Sequence, residues 1–131
     1  MLSELFIYNF VIIKRDHLFL DDGFNVLTGE TGSGKSLILD AINIVLGKKA
    51  SKDIIGKFDD KSIIEAVFIL DQQTLDKLKD KDITFDDDKL IITRTIKEKS
   101  SSIRINGRVS NLNLVREISL LLIDIYKQGD Y

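Results

Sequence analysis

The segment from Phe24 to Gly47 constrains the fold more than any other part of the chain, because its character changes twice within a few residues. Phe24-Asn25-Val26-Leu27-Thr28 is a short, apolar, β-prone run. Leu37, Ile38, Ala41, Ile42, Val45 and Leu46 then recur at helical spacing up to Gly47, a natural helix stop. Between the two lies Gly29-Glu30-Thr31-Gly32-Ser33-Gly34-Lys35-Ser36. A strand joined to a helix through a glycine-rich loop is a building unit of α/β domains, so an α/β core is expected.

The loop matches G-x-x-x-x-G-K-[ST] at every fixed position. Gly29, Gly32 and Gly34 permit backbone angles and close approaches that a Cβ would forbid, so successive N–H groups can converge on one anion. Lys35 adds a full positive charge, and Ser36 offers a hydroxyl to a Mg²⁺ bridging the outer phosphates. The positive end of the following helix contributes roughly 0.3 to 1 kcal/mol toward a nearby anion. ATP or GTP is the implied ligand, with backbone amides from Glu30 to Lys35 as the cradle. A flexible glycine-rich loop that happens to carry Lys-Ser is the plain alternative, and both flanks speak against it.

Composition narrows the field. The chain has 131 residues, enough for one domain with a proper core, and a formal net charge of −2. No global basic field recruits nucleic acid, so DNA contact would come from a local patch or from parts not present here. Cysteine is absent, which excludes disulfides, Cys-ligated zinc and thiol catalysis, and suits a reducing cytoplasm. The single histidine, His17, cannot build a multi-histidine metal site and reads as a strand-edge surface residue. The apolar stretch Leu5 to Ile13 is interrupted by Tyr8 and Asn9, and Lys14-Arg15 stands on the wrong side for a secretory signal. Nothing approaches the roughly 18 apolar residues of a membrane span.

Around the central unit, Leu2 to Ile13 reads as a strand with a break near Asn9-Phe10, and His17 to Leu20 as a second, linked through Asp21-Asp22-Gly23 to the strand feeding the loop. Lys48 to Lys61 is an exposed connection with one short helical turn, and Ser62 to Leu70 a buried strand. Asp71 caps a helix through Lys79, and Asp80 to Lys89 forms a solvated loop. Leu90 to Lys97 and Ser102 to Ile105 pair around a Lys-Glu-Lys-Ser-Ser turn, and Asn106-Gly107 signals another tight turn. Asn111 or Asn113 caps a last helix with Leu114, Val115, Ile118, Leu121 and Leu122, followed by a short strand from Ile123 to Tyr126.

Turnover of a nucleotide needs more than a phosphate cradle: a carboxylate for Mg²⁺ and a group that orients water. Two apolar runs end in an acid, at Asp71 and Asp124, but Gln72 and Ile125 follow where a base would stand. Asp71 is also a helix cap and Asp124 a strand-end acid on this reading. No Asn-Lys-x-Asp segment reads guanine, and Asp53-Ile54-Ile55-Gly56 lies too close to the loop helix to serve as a switch, so adenine nucleotide is favoured. From Arg94 to Arg108, the residues Arg94, Lys97, Lys99, Arg104 and Arg108 face only Glu98, a candidate phosphate-contacting surface or an ordinary solvated hairpin.

The opening Leu-Ser-Glu-Leu-Phe-Ile-Tyr-Asn-Phe, the block Asn25 to Ser36 with Leu37-Ile38-Leu39-Asp40-Ala41-Ile42, then Lys49-Ala50-Ser51, Ile105-Asn106-Gly107-Arg108 and Leu122-Ile123-Asp124-Ile125 together resemble the RecN family, bacterial double-strand-break repair ATPases akin to SMC proteins. The resemblance implies an α/β P-loop NTPase fold, the N-terminal lobe of an ABC/SMC-type head, with a mixed sheet and an adjoining antiparallel β layer spanning residues 1–131 as one domain. It implies ATP and Mg²⁺ as ligands, and Gln128 as the loop glutamine that reaches metal and attacking water, although Tyr126, Lys127, Gly129 and Asp130 depart from the family's pattern around it. It further implies a coiled coil and a second lobe carrying the signature sequence, the metal-binding Asp and the catalytic Glu, none of which matches a segment of this chain. Such a lobe binds ATP without hydrolysing it, partners a second head and DNA, and works in the cytoplasm at the nucleoid. The competing expectations are a self-sufficient NTPase or nucleotide kinase using Asp124 or Asp71, and a non-catalytic interaction remnant.

Overall fold

In the computed structural model, which describes residues 1–20 and 32–129, with side chains described for 1–20 and 36–122, six strands form one sheet. These are β1 (Leu2–Phe10), β2 (Ile13–Phe19), β3 (Lys61–Ile69), β4 (Lys89–Lys97), β5 (Ser101–Ile105) and β6 (Arg108–Ser110). They lie in the order β2-β1-β3-β4-β5-β6, each antiparallel to its neighbours. Strand alternation explains the layering: Leu5 and Ile7, Ile64, Ala66 and Phe68, Leu90, Ile92 and Ile96, and Ile103 and Ile105 all turn to one buried face. Helix α1 (Gly32–Val45) covers that face with Ile38, Ala41, Ile42 and Val45, and α3 (Leu112–Gly129) adds Val115, Ile118 and Leu122 to the same core. The antiparallel layer expected from the sequence is this sheet. A mixed sheet would need Phe24 to Thr28, which lie outside the described residues.

Local chemistry sets several boundaries. The β1–β2 turn falls at Val11-Ile12, two residues later than expected, with Asn9 and Val11 at φ of 54° and 52°. Asn9 is wholly buried there and ties down the segment from Gly56 to Lys61, within which Tyr8 donates to Asp59 at 2.7 Å. That hydroxyl, with the Asp60 amide behind it, pushes the Asp59 carboxyl down to about 2. A single 3-10 turn, Lys52–Ile54, occupies the expected connection. The short α2 (Gln72–Leu78) is capped by Asp71, whose carboxylate accepts from the Thr74 N–H at 2.8 Å. Asn106 and Gly107 adopt φ of 50° and 83°, the pair of left-handed angles that a two-residue hairpin turn demands. Asn111, not Asn113, caps α3 by accepting from the Leu114 N–H at 2.9 Å.

The expected strand from Ile123 to Tyr126 is helical, the continuation of α3. Neither proline nor glycine interrupts the chain between Asn111 and Gly129, and Ile118, Leu122 and Ile125 continue the stripe begun by Leu114 and Val115 at helical spacing. Asp124 therefore lies within a helix, not at a strand end. Among the described residues no helix is long and apolar enough to cross a membrane.

Candidate nucleotide-binding site

The phosphate-loop motif runs into α1. Gly29, Glu30 and Thr31 lie outside the described residues, and the helix begins at Gly32, slightly earlier than the sequence suggests. Its opening turn contains no acidic residue, so no carboxylate there opposes an anion at the positive end of the dipole. Ser36 is exposed, Leu37 half-buried and Ile38 buried, so the helix dips into the core directly after the motif. The side chains of Ser33 and Lys35 are outside the described set.

The opposite end of α1 is locked in detail. Gly47, at φ of 114°, donates to the Ile44 carbonyl at 3.1 Å, and Lys48 donates to the Asn43 carbonyl at 3.0 Å, the paired bonds of a Schellman cap. Arg94 of β4 and Arg116 of α3 supply cations where the helix dipole is negative. One guanidinium nitrogen of Arg94, Nη1, donates to the Ile44 carbonyl at 2.7 Å and also to the Lys48 carbonyl. Arg116 Nε donates to the Gly47 carbonyl at 2.9 Å. Burial lowers the Arg94 pKa, and the nearby Arg116 lowers it further.

Arg94 therefore does not belong to a basic surface. It is 4% exposed and shares the core-facing row with Leu90, Ile92 and Ile96. The remaining members of that run are exposed, but they do not form a uniformly positive face. Arg104 donates to the Gly107 carbonyl at 3.1 Å and Arg108 to Thr84 Oγ1 at 3.0 Å, bonds that brace the Asn106-Gly107 turn. Lys97 and Lys99 border an open groove of about 760 Å³ together with Lys52, Asp53, Asp59, Asp60 and Glu98. Charges of both signs meet there.

The proposed metal carboxylates fare differently. Asp71 is engaged as a cap, accepting from both the N–H and the hydroxyl of Thr74 at 2.8 Å, and these bonds hold its carboxyl below the usual range. Asp124 and Gln128 lie on α3, with side chains outside the described set, so Gln128 follows a helical run where a strand was expected. Among the described residues no three His, Cys, Asp or Glu side chains approach closely enough to hold a metal ion. The role of Arg94 at the far end of the loop helix escaped a count of charges. Its parity with Leu90, Ile92 and Ile96 was the available signal.

Comparison with known proteins agrees with this architecture. The family model described as the RecF/RecN/SMC N terminal domain matches residues 1–126. DNA repair protein RecN of Halalkalibacterium halodurans is 38% identical over 134 residues, covering 100% of this chain and 24% of that protein. RecN of Bacillus subtilis is 36% identical, covering 99% of this chain and 23% of its own length. The chain thus spans about a quarter of the curated relatives it matches. A solved chain from work on ATP-driven dimerization and DNA-stimulated activation of SMC ATPases superposes with a TM-score of 0.72 at 23% identity, over 93% of this chain and 79% of that one. That likeness establishes the fold as the P-loop, ABC-type fold of SMC heads. With the motif at the head of α1 and the family model covering nearly the whole chain, this protein belongs to the RecF/RecN/SMC N-terminal domain family.

Proposed function

We propose that this chain is the Mg-ATP-binding lobe of a RecN-type DNA repair ATPase. The observation that carries the reading is the complete G-x-x-x-x-G-K-[ST] sequence opening a helix that is seated on a sheet and free of acids in its first turn. Amides from Glu30 to Lys35 bind the phosphates, and Lys35 neutralises the outer ones. Ser36, exposed in α1, holds Mg²⁺ with the nucleotide, and Gln128 joins through metal or water. When bound, Mg-ATP supplies the scissile phosphoanhydride, while this chain's residues bind and orient it. The RecN names of the relatives and the ATP-driven dimerization described for the SMC ATPase support a composite site, completed by a signature-bearing lobe of a second head. DNA engagement would follow nucleotide state, with Lys97, Lys99, Arg104 and Arg108 as the exposed basic residues available to phosphates.

Titration calorimetry tests this. One Mg-ATP per chain is expected, with binding weakened by EDTA and with GTP binding more weakly than ATP. Ligand at about 100 times Kd should add about 2.7 kcal/mol of stability. Phosphate release by the isolated chain should stay at background. No heat, together with an unshifted melting temperature, would refute nucleotide binding.

A further inference from the structure

We infer that Arg94 is a positioning residue for the phosphate loop: by tying the C-terminal carbonyls of α1 to β4, it sets where the motif-bearing end of that helix stands over the sheet. The inference rests on the nucleotide-binding reading and adds a residue on the far side of the helix from the ligand. It begins from a misfit. A guanidinium occupies a core-facing position whose row neighbours Leu90, Ile92 and Ile96 are aliphatic, and its Nε finds no hydrogen-bond partner among the described residues. Taking a guanidinium out of water is costly, and both of its acceptors are neutral carbonyls that do not repay it as an anion would. Stability alone does not account for the arginine. Location does.

Both acceptors of Arg94 lie at the end of α1: Ile44 within its last turn and Lys48 just beyond the Schellman cap. Apolar packing of Ile38, Ala41, Ile42 and Val45 resists separation from the sheet but tolerates sliding and small rotations. Directional hydrogen bonds from a fixed strand do not. At a rise of about 1.5 Å per residue, fourteen residues make a rod of about 21 Å, and a tilt of roughly 5° at one end moves the other by about 2 Å. A cradle of amides works within a donor–acceptor window of about 2.7 to 3.2 Å, so such a swing disables it. Arg116, bonded to the Gly47 carbonyl, steadies the same cap from α3, and its Cγ would stand 2.7 Å from any Cβ at Gly47.

The contact also predicts how replacements rank. A single nitrogen makes both bonds, and the ammonium of lysine carries donors for the same carbonyls but ends one bond sooner, so it restores the tie in part. The test is Mg-ATP affinity and melting temperature measured on wild type, Arg94→Met and Arg94→Lys. Arg94→Met is expected to lose at most a few degrees of melting temperature, because the Ile44 carbonyl keeps the Gly47 N–H and Lys48 faces solvent, yet to bind Mg-ATP about tenfold more weakly, equivalent to about 1.4 kcal/mol. Arg94→Lys should bind more tightly than Arg94→Met and more weakly than wild type. If Arg94→Met does not fold, Arg94→Gln, which keeps donors without the charge, takes its place and should also weaken binding. Wild-type affinity in a folded Met or Gln variant, or a Lys variant that binds more weakly than the Met variant, overturns the positioning role while nucleotide binding stands. Absence of binding in wild type itself removes the nucleotide reading and this inference with it.

Discussion

Asn9→Ala is expected to remove about 3 to 5 kcal/mol of folding stability, because one wholly buried amide holds four backbone groups of a half-buried segment. Its Nδ2 donates to the carbonyls of Gly56, Asp59 and Lys61 at 3.1, 3.0 and 2.8 Å, and its Oδ1 accepts from the Phe58 N–H at 2.9 Å. Each group orphaned in the interior costs about 1 to 3 kcal/mol, partly recovered where the loop relaxes toward solvent. Asparagine also tolerates the observed φ of 54° better than alanine. The segment fits so closely that a Cβ at Gly56 would lie 2.5 Å from Asn9 Oδ1 and 2.7 Å from the Val11 carbonyl oxygen. For a domain of this size the loss corresponds to a fall of roughly 10 to 20 °C in melting temperature. Calorimetric melting checks it, and a fall of less than about 3 °C would show that water replaces the amide at little cost.

Lys35→Ala should act in the opposite sense, on ligand and not on fold. The ammonium is the one full positive charge within the Gly29–Ser36 motif, and charge-assisted hydrogen bonds to phosphate are worth about 1.5 to 3 kcal/mol each. Losing it is expected to weaken Mg-ATP at least about a hundredfold, or about 2.7 kcal/mol. Alanine is the best helix former, and the core set on α1, Ile38, Ala41, Ile42 and Val45, is untouched. The melting temperature of the free protein should therefore move by no more than about 2 °C. Fluorescent-nucleotide titration beside thermal melting separates the two effects, and retained affinity would show that Lys35 does not meet the phosphates.

The two replacements bracket what could be read directly from residues. Local signals were legible because their causes are local: Gly47 ends α1, Asp71 and Asn111 accept at the first turns of α2 and α3, and Asn106-Gly107 turns a hairpin. Ile123 to Tyr126 is helical despite its strand-like composition, because a short apolar run satisfies strand and helix periods alike and no breaker stands before Gly129. Arg94 does not follow from a count of charges along a strand, because such a count ignores which face each residue occupies. The sheet order could not be read locally, since β1–β3 and β3–β4 pair residues far apart in the chain. At the site, the motif and its helix were evident, whereas the clamp at the far end of α1 depends on three elements meeting.

The central claim is that backbone amides around Gly29 to Ser36 receive the phosphates. Amide ¹⁵N–¹H shifts recorded while Mg-ATP is added to the wild-type chain test it residue by residue. The account predicts saturable shifts concentrated at Glu30 to Ser36 and absent in Lys35→Ala. Shifts centred elsewhere in the chain, with those amides unmoved at saturating nucleotide, would contradict it.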